Sequence, residues 1–220
     1  MDFSLTDEQQ MIIATLKAFV EQELYPHEAE VEKTNTIRPE IYADIKQKAI
    51  ELGLYAANMP EQHGGAGLDS LTLCLMEREL GRANFGLQYI VGRPSNILLA
   101  CKGKQIENYL HASIRGDKVD CLALTEPNAG SDVRSMQCRA ERDGDDFIIN
   151  GTKHFISHAD VADFVILFAA SGVEQTVRGP KKKITSFLVD VLHYQPDAAH
   201  TALQDKTVAY HDSCAGLREL

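Results

Sequence analysis

The stretch from Cys121 to Asp132 holds the residues whose types and spacing best suit ligand chemistry. It begins with four short apolar residues, as a buried strand does, and Pro127 then ends ladder pairing. In the turn that follows, Gly130 allows close approach of the backbone to a ligand, and the hydroxyls of Thr125 and Ser131 flank it. Such a strand end suits a ligand with polar ring atoms and phosphates. An ordinary strand with a polar turn is the alternative that these residues leave open.

The first half of the chain must supply mainly helices, because its apolar residues recur at helical spacing. Thr6 and Gln9 have the spacing of a capping box at the start of the first helix, and Pro26 is predicted to end that helix. Residues 59–67 form a glycine-rich loop that lacks the Lys-Ser/Thr of a P-loop. The other predicted helices cover residues 39–53, 71–80, 89–101 and 106–114, and the third of these is expected to be interrupted around Pro94.

After Asp117 the pattern changes to short strands separated by polar turns. Residues 142–146 predict a hairpin turn, and Asn150-Gly151 predicts another. The predicted strands are Cys121–Leu124, Met136–Arg142, Phe147–Asn150, Lys153–Ser157, Phe164–Ala170 and Thr185–Val189. The chain is therefore expected to be α+β, with an α-helical domain at residues 1–116 and an antiparallel sheet or barrel at residues 117–190.

Composition excludes several classes of protein. The 220 residues carry a formal net charge of −10, and the longest basic run is Lys181–Lys183, so a nucleic-acid partner is not expected. The five cysteines include no C-x-x-C pair, which argues against a zinc site or a disulfide framework, and no metal is expected. The N-terminus has no secretory or transit pattern, and no apolar run is long enough to cross a bilayer. A cytoplasmic protein is predicted.

Three motifs resemble those of the acyl-CoA dehydrogenase family. Thr125–Asp132 is similar to the family's flavin signature, T-E-P-x-A-G-S-D. Ile149–Ser157 resembles its I-N-G-x-K-x-[WF]-I-[TS] stretch, and Pro60–Gly67 resembles a loop upstream. The motifs follow the family's order and cover roughly residues 1 to 190. The resemblance implies a helical domain followed by a flavin-binding β domain.

The resemblance also implies an oxidoreductase that uses FAD to dehydrogenate an acyl-CoA thioester to the enoyl-CoA. That reaction needs a base, a flavin that accepts hydride, and hydrogen bonds to the thioester carbonyl. Ser131 is expected at the acyl-CoA entrance as well as near the FAD pyrophosphate. No position matches the family's catalytic glutamate, so the base is unknown. The residues expected to contact FAD are Leu122, Leu124, Thr125, Gly130, Ser131, Phe155, Ile156 and Ser157.

Individual roles follow from the resemblance alone. Thr125 is expected to bond the carbonyl-bearing edge of the flavin ring, Phe155 to pack along the ring, and Ser157 to donate near the nitrogen that receives hydride. Glu126 is expected to have a structural role in the turn. Without the resemblance, turn-capping hydroxyls, a core aromatic residue and an edge serine would be the preferred explanations of these positions.

In the family, a further helical domain supplies the catalytic glutamate, and this chain is expected to lack it. Residues 191–220 are expected to lie outside the family pattern, and a shifted reading frame is one explanation. The expected partners are an acyl-CoA substrate, an electron-transfer flavoprotein and further copies of the chain, usually in a tetramer. The alternatives are a non-catalytic fragment that binds FAD or acyl-CoA, and a relative that is an acyl-CoA oxidase or flavin monooxygenase.

Overall fold

The computed structural model describes residues 4–177 and 179–191. Six α-helices precede five strands in this part of the chain. The helices are α1 (Asp7–Phe19), α2 (Tyr25–Thr34), α3 (Pro39–Glu51), α4 (Ser70–Leu80), α5 (Phe85–Tyr89) and α6 (Ala112–Arg115), and the strands are β1 (Asp120–Ala123), β2 (Arg139–Asp143), β3 (Asp146–Asn150), β4 (Phe164–Thr176) and β5 (Gly179–Asp190). The predicted order of helices before strands is confirmed.

The first helix begins as predicted and ends later than predicted. The Thr6 hydroxyl accepts a hydrogen bond from the Gln9 amide, and the Gln9 side chain accepts one from the Thr6 amide. The prediction that Pro26 ends the helix is wrong, because α1 continues through a π-helical turn at Val20–Leu24 into α2. Pro26 comes just after this turn, and the Tyr25 amide there donates to the Val20 carbonyl five residues back, so the regular ladder that Pro26 would interrupt is already shifted.

The predicted helix at residues 89–101 is only partly confirmed: the interruption around Pro94 is present, but residues 90–101 form no α-helix. The chain instead forms the short helix α5 and, after a break, a 3₁₀ turn at Asn96–Ala100. Pro94 lies in the break, and a proline disfavours helical backbone in the residue before it. Of the apolar residues that suggested this helix, Ile97, Leu98 and Leu99 lie in the 3₁₀ turn, whereas Ile90 and Val91 lie just after α5.

The described chain divides into two compact units. The first takes in the described residues up to Asn96 together with Leu110–Asp117. Its core is an aliphatic and aromatic cluster in which Leu16, Leu24, Ile45 and Leu87 have no exposed surface. The second unit takes in Ile97–Tyr109 and the described residues from Lys118 onward. The predicted domain boundary at residues 116 and 117 stays a prediction.

The sheet of the second unit is mixed. β2 and β3 form an antiparallel hairpin, and β4 and β5 form a longer one, whose register runs from Phe164↔Asp190 to Thr176↔Gly179. β1 and β2, however, both lie parallel to β4. The expectation of a purely antiparallel sheet is therefore corrected, while the α+β class holds. The long stretch between β1 and β4, which contains the first hairpin, provides the crossover that a parallel pair requires.

The predicted strand at Lys153–Ser157 is wrong. These residues pair with no strand in the described part of the chain and form irregular backbone. Phe155 and His158 have φ values of 56° and 62°, in the left-handed region that a strand cannot contain. The predicted hairpin at Asn150-Gly151 is therefore absent, and the chain passes from β3 directly into a loop.

The core of the second unit lies between the two hairpins. Phe147 on β3 and Phe187 on β5 meet edge to face, with ring centroids 5.1 Å apart. Met136, Cys138, Ala140 and Ala169 complete this buried cluster. Among the described residues no helix is both long and apolar enough to cross a membrane.

Candidate functional site

The turn segment, Leu122–Ser131, begins on β1 and continues into a tight reversal. Glu126 and Ala129 exchange backbone hydrogen bonds of 2.9 and 3.2 Å around the reversal. The Leu122 side chain is 43% exposed, although it lies on a strand whose neighbouring residues are buried. Leu124 and Thr125 are half-buried. The segment therefore presents one large apolar side chain to solvent from a well-ordered backbone.

A buried carboxylate holds the reversal in place. Glu126 is only 6% exposed and accepts hydrogen bonds from the Gln137 amide at 2.6 Å and the Cys138 amide at 3.0 Å. Its third donor is the Lys153 ammonium, at 2.9 Å. Burial acts to raise the pKa of Glu126, but these three donors together outweigh it and lower that pKa. Glu126 is therefore ionised at neutral pH and acts as a structural anion, as expected.

The loop segment, Lys153–Ser157, lies against the turn segment. The Lys153 ammonium donates to the Leu124 carbonyl oxygen at 3.0 Å, and the His154 amide donates to the Thr125 carbonyl oxygen at 2.9 Å. The structure thus brings Leu124 and Thr125 into contact with the residues just before Phe155. The two motifs that sequence separates by a hairpin form one surface.

Phe155 is the most exposed aromatic residue of this surface. Its side chain is 83% exposed and stacks on the His154 ring, with centroids 3.8 Å apart and planes 17° from parallel. Ile156 is half-buried and Ser157 is exposed. The left-handed backbone at Phe155 costs about 1–2 kcal/mol in a residue with a side chain. Because its ring is largely exposed, burial of the ring does not offset that cost.

Gly130 and Ser131 form the exposed end of the turn segment. A Cβ at Gly130 would meet nothing within 4 Å, and its φ lies outside the left-handed region. Neither a contact with the described residues nor a backbone constraint therefore requires glycine at this position. The open space beside the Gly130 backbone leaves room for another molecule to approach closely.

The buried cysteine near this site is not a nucleophile. Cys121 is 2% exposed, and burial together with the charge of Asp120 raises the pKa of its thiol to about 11. The thiol therefore stays protonated at neutral pH and packs as a small apolar group.

Sequence reasoning missed the role of Lys153. The motif contained this residue, but the predicted strand gave no reason to bury its side chain, which is 9% exposed in the structure. The sequence Gly151-Thr152-Lys153, directly after an apolar strand, could have indicated that Lys153 lies close to the core. A glycine there allows close packing, and the structure shows that a Cβ at Gly151 would lie 2.6 Å from the Cys138 Cα.

Comparisons with known proteins agree with this architecture. The family described as acyl-CoA dehydrogenase, N-terminal domain, matches residues 6–117, and the acyl-CoA dehydrogenase middle domain matches residues 121–215. The second match extends past Asp190, where the sequence analysis expected the family pattern to end. Most of that extension lies outside the described residues, so the nature of the tail stays a prediction.

Individual relatives cover the chain but are about twice its length. A 3-(aryl)acrylate reductase from Clostridium sporogenes is 34% identical over 190 residues, which are 84% of this chain and 48% of the relative. A benzylmalonyl-CoA dehydrogenase from Aromatoleum aromaticum is 34% identical over 197 residues, 86% of this chain and 49% of the relative. The structure of a glutaryl-CoA dehydrogenase from Mycobacterium smegmatis in complex with FADH2 superposes with a TM-score of 0.71 at 28% identity, over 84% of this chain and 46% of that one. The chain belongs to the acyl-CoA dehydrogenase family, and it spans about half the length of the curated relatives it matches.

Proposed function

We propose that this chain forms the N-terminal and middle portion of an FAD-dependent acyl-CoA dehydrogenase and that the turn and loop segments hold FAD. The observation that carries the proposal is the exposure of Leu122 and Phe155, at 43% and 83%, on two segments joined by direct hydrogen bonds. Large apolar side chains fixed on an exposed, ordered surface are typical of a ligand site.

The residues present fit a flavin. Leu122 and Phe155 offer apolar surface for a flat ring system, and the hydroxyls of Thr125 and Ser157 offer hydrogen bonds to its polar edge. The open space at Gly130, next to the Ser131 hydroxyl, suits a pyrophosphate that approaches the backbone. When bound, FAD supplies the hydride acceptor that no amino-acid side chain provides.

The buried carboxylate of the site does not serve as the base. Glu126 is ionised and already accepts three hydrogen bonds, so its free lone pairs and its basicity are both reduced. We therefore assign no base within the described residues. The 220-residue chain is expected to bind flavin without dehydrogenating acyl-CoA at a rate typical of enzymes, about 1–10³ s⁻¹.

We extend the proposal to partners and location. An acyl-CoA thioester is the substrate, with Ser131 at its entrance. An electron-transfer flavoprotein accepts the electrons, and the complete enzyme is a homo-oligomer in the cytoplasm. All four cysteines that the structure describes are free thiols, which is compatible with a reducing compartment.

FAD titration of the purified chain, followed by flavin fluorescence, tests the site. Thr125→Ala and Ser157→Ala should each weaken binding about fivefold, since one hydrogen bond contributes about 1 kcal/mol. Thr176→Ala is the matched control, because its hydroxyl bonds the Gly179 carbonyl in the β4–β5 turn. Equal FAD affinity in the wild type and the Thr125→Ala/Ser157→Ala double variant would contradict the assignment.

Anaerobic addition of short- and medium-chain acyl-CoAs to the FAD-loaded chain tests turnover. Rapid bleaching of the flavin with enoyl-CoA formation would show that a base lies within these residues.

A further inference from the structure

One buried ammonium joins the two halves of the site. The Lys153 side chain is 9% exposed, and its Nζ donates to both the Leu124 carbonyl oxygen and the Glu126 carboxylate. A lysine loses most of its hydration at such a position and is retained only where it finds strong partners. Lys153 finds both partners on the turn segment, although it lies on the loop segment.

The backbone continues this connection. The residue after Lys153 donates its amide hydrogen to Thr125, so two consecutive loop residues contact three consecutive turn residues. These hydrogen bonds take the place of the ladder that the loop segment lacks. Phe155, whose backbone is left-handed, follows immediately.

Glu126 also links the turn segment to the residues just before β2. Glu126 accepts from the amides of Gln137 and Cys138, and Gly151 packs directly against Cys138. Lys153 contacts Glu126, Glu126 contacts Cys138, and Cys138 packs against Gly151, two residues before Lys153. Removing the ammonium breaks the contact of this series that lies two residues before Phe155 in the chain.

We propose that Lys153 is a positioning residue, which holds Phe155–Ser157 against Leu122–Ser131 so that FAD meets a preformed surface. This inference rests on the proposed function. A buried lysine–glutamate pair is often no more stabilising than apolar residues of similar volume, so fold stability alone gives little reason for it. A role in fixing the two exposed segments does explain the pair. Segments that are already ordered need not lose conformational entropy when the ligand binds.

Hydrogen–deuterium exchange of the chain without flavin tests the positioning directly. In Lys153→Met, exchange should accelerate at least tenfold more in peptides from the loop segment than in the β4–β5 hairpin, with a smaller excess in the turn segment, whose strand and reversal keep their backbone hydrogen bonds. Lys182→Met is the matched control: this exposed lysine also donates to a backbone carbonyl, that of Met136, at 2.6 Å. It should leave both segments unchanged.

FAD titration and the absorption spectrum of the bound flavin give the second readout. Lys153→Met should weaken FAD binding at least tenfold and alter the spectrum of the flavin that remains bound, while Lys153→Arg should recover part of both. Lys182→Met should match the wild type. If Lys153→Met does not fold, Lys153→Met/Glu126→Gln removes both buried charges and replaces it in each measurement.

Two exchange results would overturn the inference: unchanged exchange in the loop segment, or acceleration spread evenly over the whole sheet, which would make Lys153 a general stabilising residue. Wild-type FAD affinity and spectrum in Lys153→Met would also overturn it. Failure of the wild-type chain to bind FAD counts instead against the proposed function, and the exchange measurement then decides the role of Lys153.

Discussion

The turn segment and the loop segment belong to one surface but are ordered in different ways. The turn segment starts on β1, which pairs with β4 along its whole length, and its reversal is closed by backbone hydrogen bonds. The loop segment has no ladder partner among residues 4–177 and 179–191, and two left-handed residues lie in or beside it. Regular structure accounts for the first segment, whereas side chains must hold the second.

The difference shows where the site is vulnerable. A segment within a sheet shares its stability with many backbone hydrogen bonds, so one substitution changes it little. A segment held by one ammonium and one amide loses its position when either contact is lost. The predictions below test this contrast.

Glu126→Ala should have the largest effect, because Glu126 contacts both segments. The substitution leaves two backbone amides without this acceptor and the buried Lys153 ammonium with only the Leu124 carbonyl oxygen and no counter-charge. Removing one partner of a buried ion pair costs about 3–5 kcal/mol in the free energy of unfolding. Urea unfolding followed by circular dichroism measures it, and a cost below 1 kcal/mol would show that the segments do not depend on this carboxylate.

Gly151→Ala should come next, at about 1–3 kcal/mol, the usual cost of overpacking. Its new methyl group would lie 2.6 Å from the Cys138 Cα, which belongs to the backbone and cannot easily move away. Gly172→Ala is the matched control, since Gly172 has the same φ of 156° but nothing within 4 Å of its Cβ position. Equal urea midpoints for the two variants would contradict the packing argument.

Acid should weaken the contact that joins the two segments. The native-state pKa of Glu126 lies below its ordinary value of 4.5, so the stabilisation from its ionised form is complete above that value. It should be lost progressively as the pH falls through the lowered pKa. Glu126→Gln should flatten this part of the dependence of unfolding free energy on pH, and an unchanged slope below pH 4.5 would place the acid sensitivity elsewhere.

Phe155→Ala should have the smallest effect on stability, within about 0.5 kcal/mol, because its ring is largely exposed. Phe147→Ala is the comparison within the same unit: that ring is 8% exposed and packs on Phe187, so its loss should cost about 3–5 kcal/mol. Phe155→Ala should nevertheless reduce FAD affinity. Thermal unfolding and FAD titration of both variants separate the two roles, and full affinity in Phe155→Ala would remove this residue from the site.

Sequence patterns predicted elements that rest on local interactions. The capping box at Thr6, the helix that begins at Pro39 and the hairpin of β2 and β3 all depend on residues close together in the chain. Pro26 misled because the π-helical turn before it shifts the hydrogen-bond ladder, so the helix continues past this proline. The parallel pairing of β1 with β4 could not be predicted, since it depends on contacts between residues more than forty positions apart.

Within the site, the motifs identified which residues to consider but not how they meet. The family motif and the turn predicted at Asn150-Gly151 suggested a strand at Lys153–Ser157, whereas left-handed backbone at Phe155 makes a strand impossible. Phe155 has a φ that is uncommon for an aromatic residue, and no local pattern signals it. The roles given to the predicted FAD-contacting residues stay predictions until a flavin is bound.

The hydrogen bond from Lys153 to Leu124 also has a kinetic consequence. It spans 29 residues, and closing a loop of that length costs chain entropy before any contact is gained. The β2–β3 hairpin lies inside this loop and closes locally, so it can form first and shorten the remaining gap. The loop segment should therefore dock late in folding, after the transition state. Substitutions at Lys153 would then accelerate unfolding while leaving the folding rate almost unchanged.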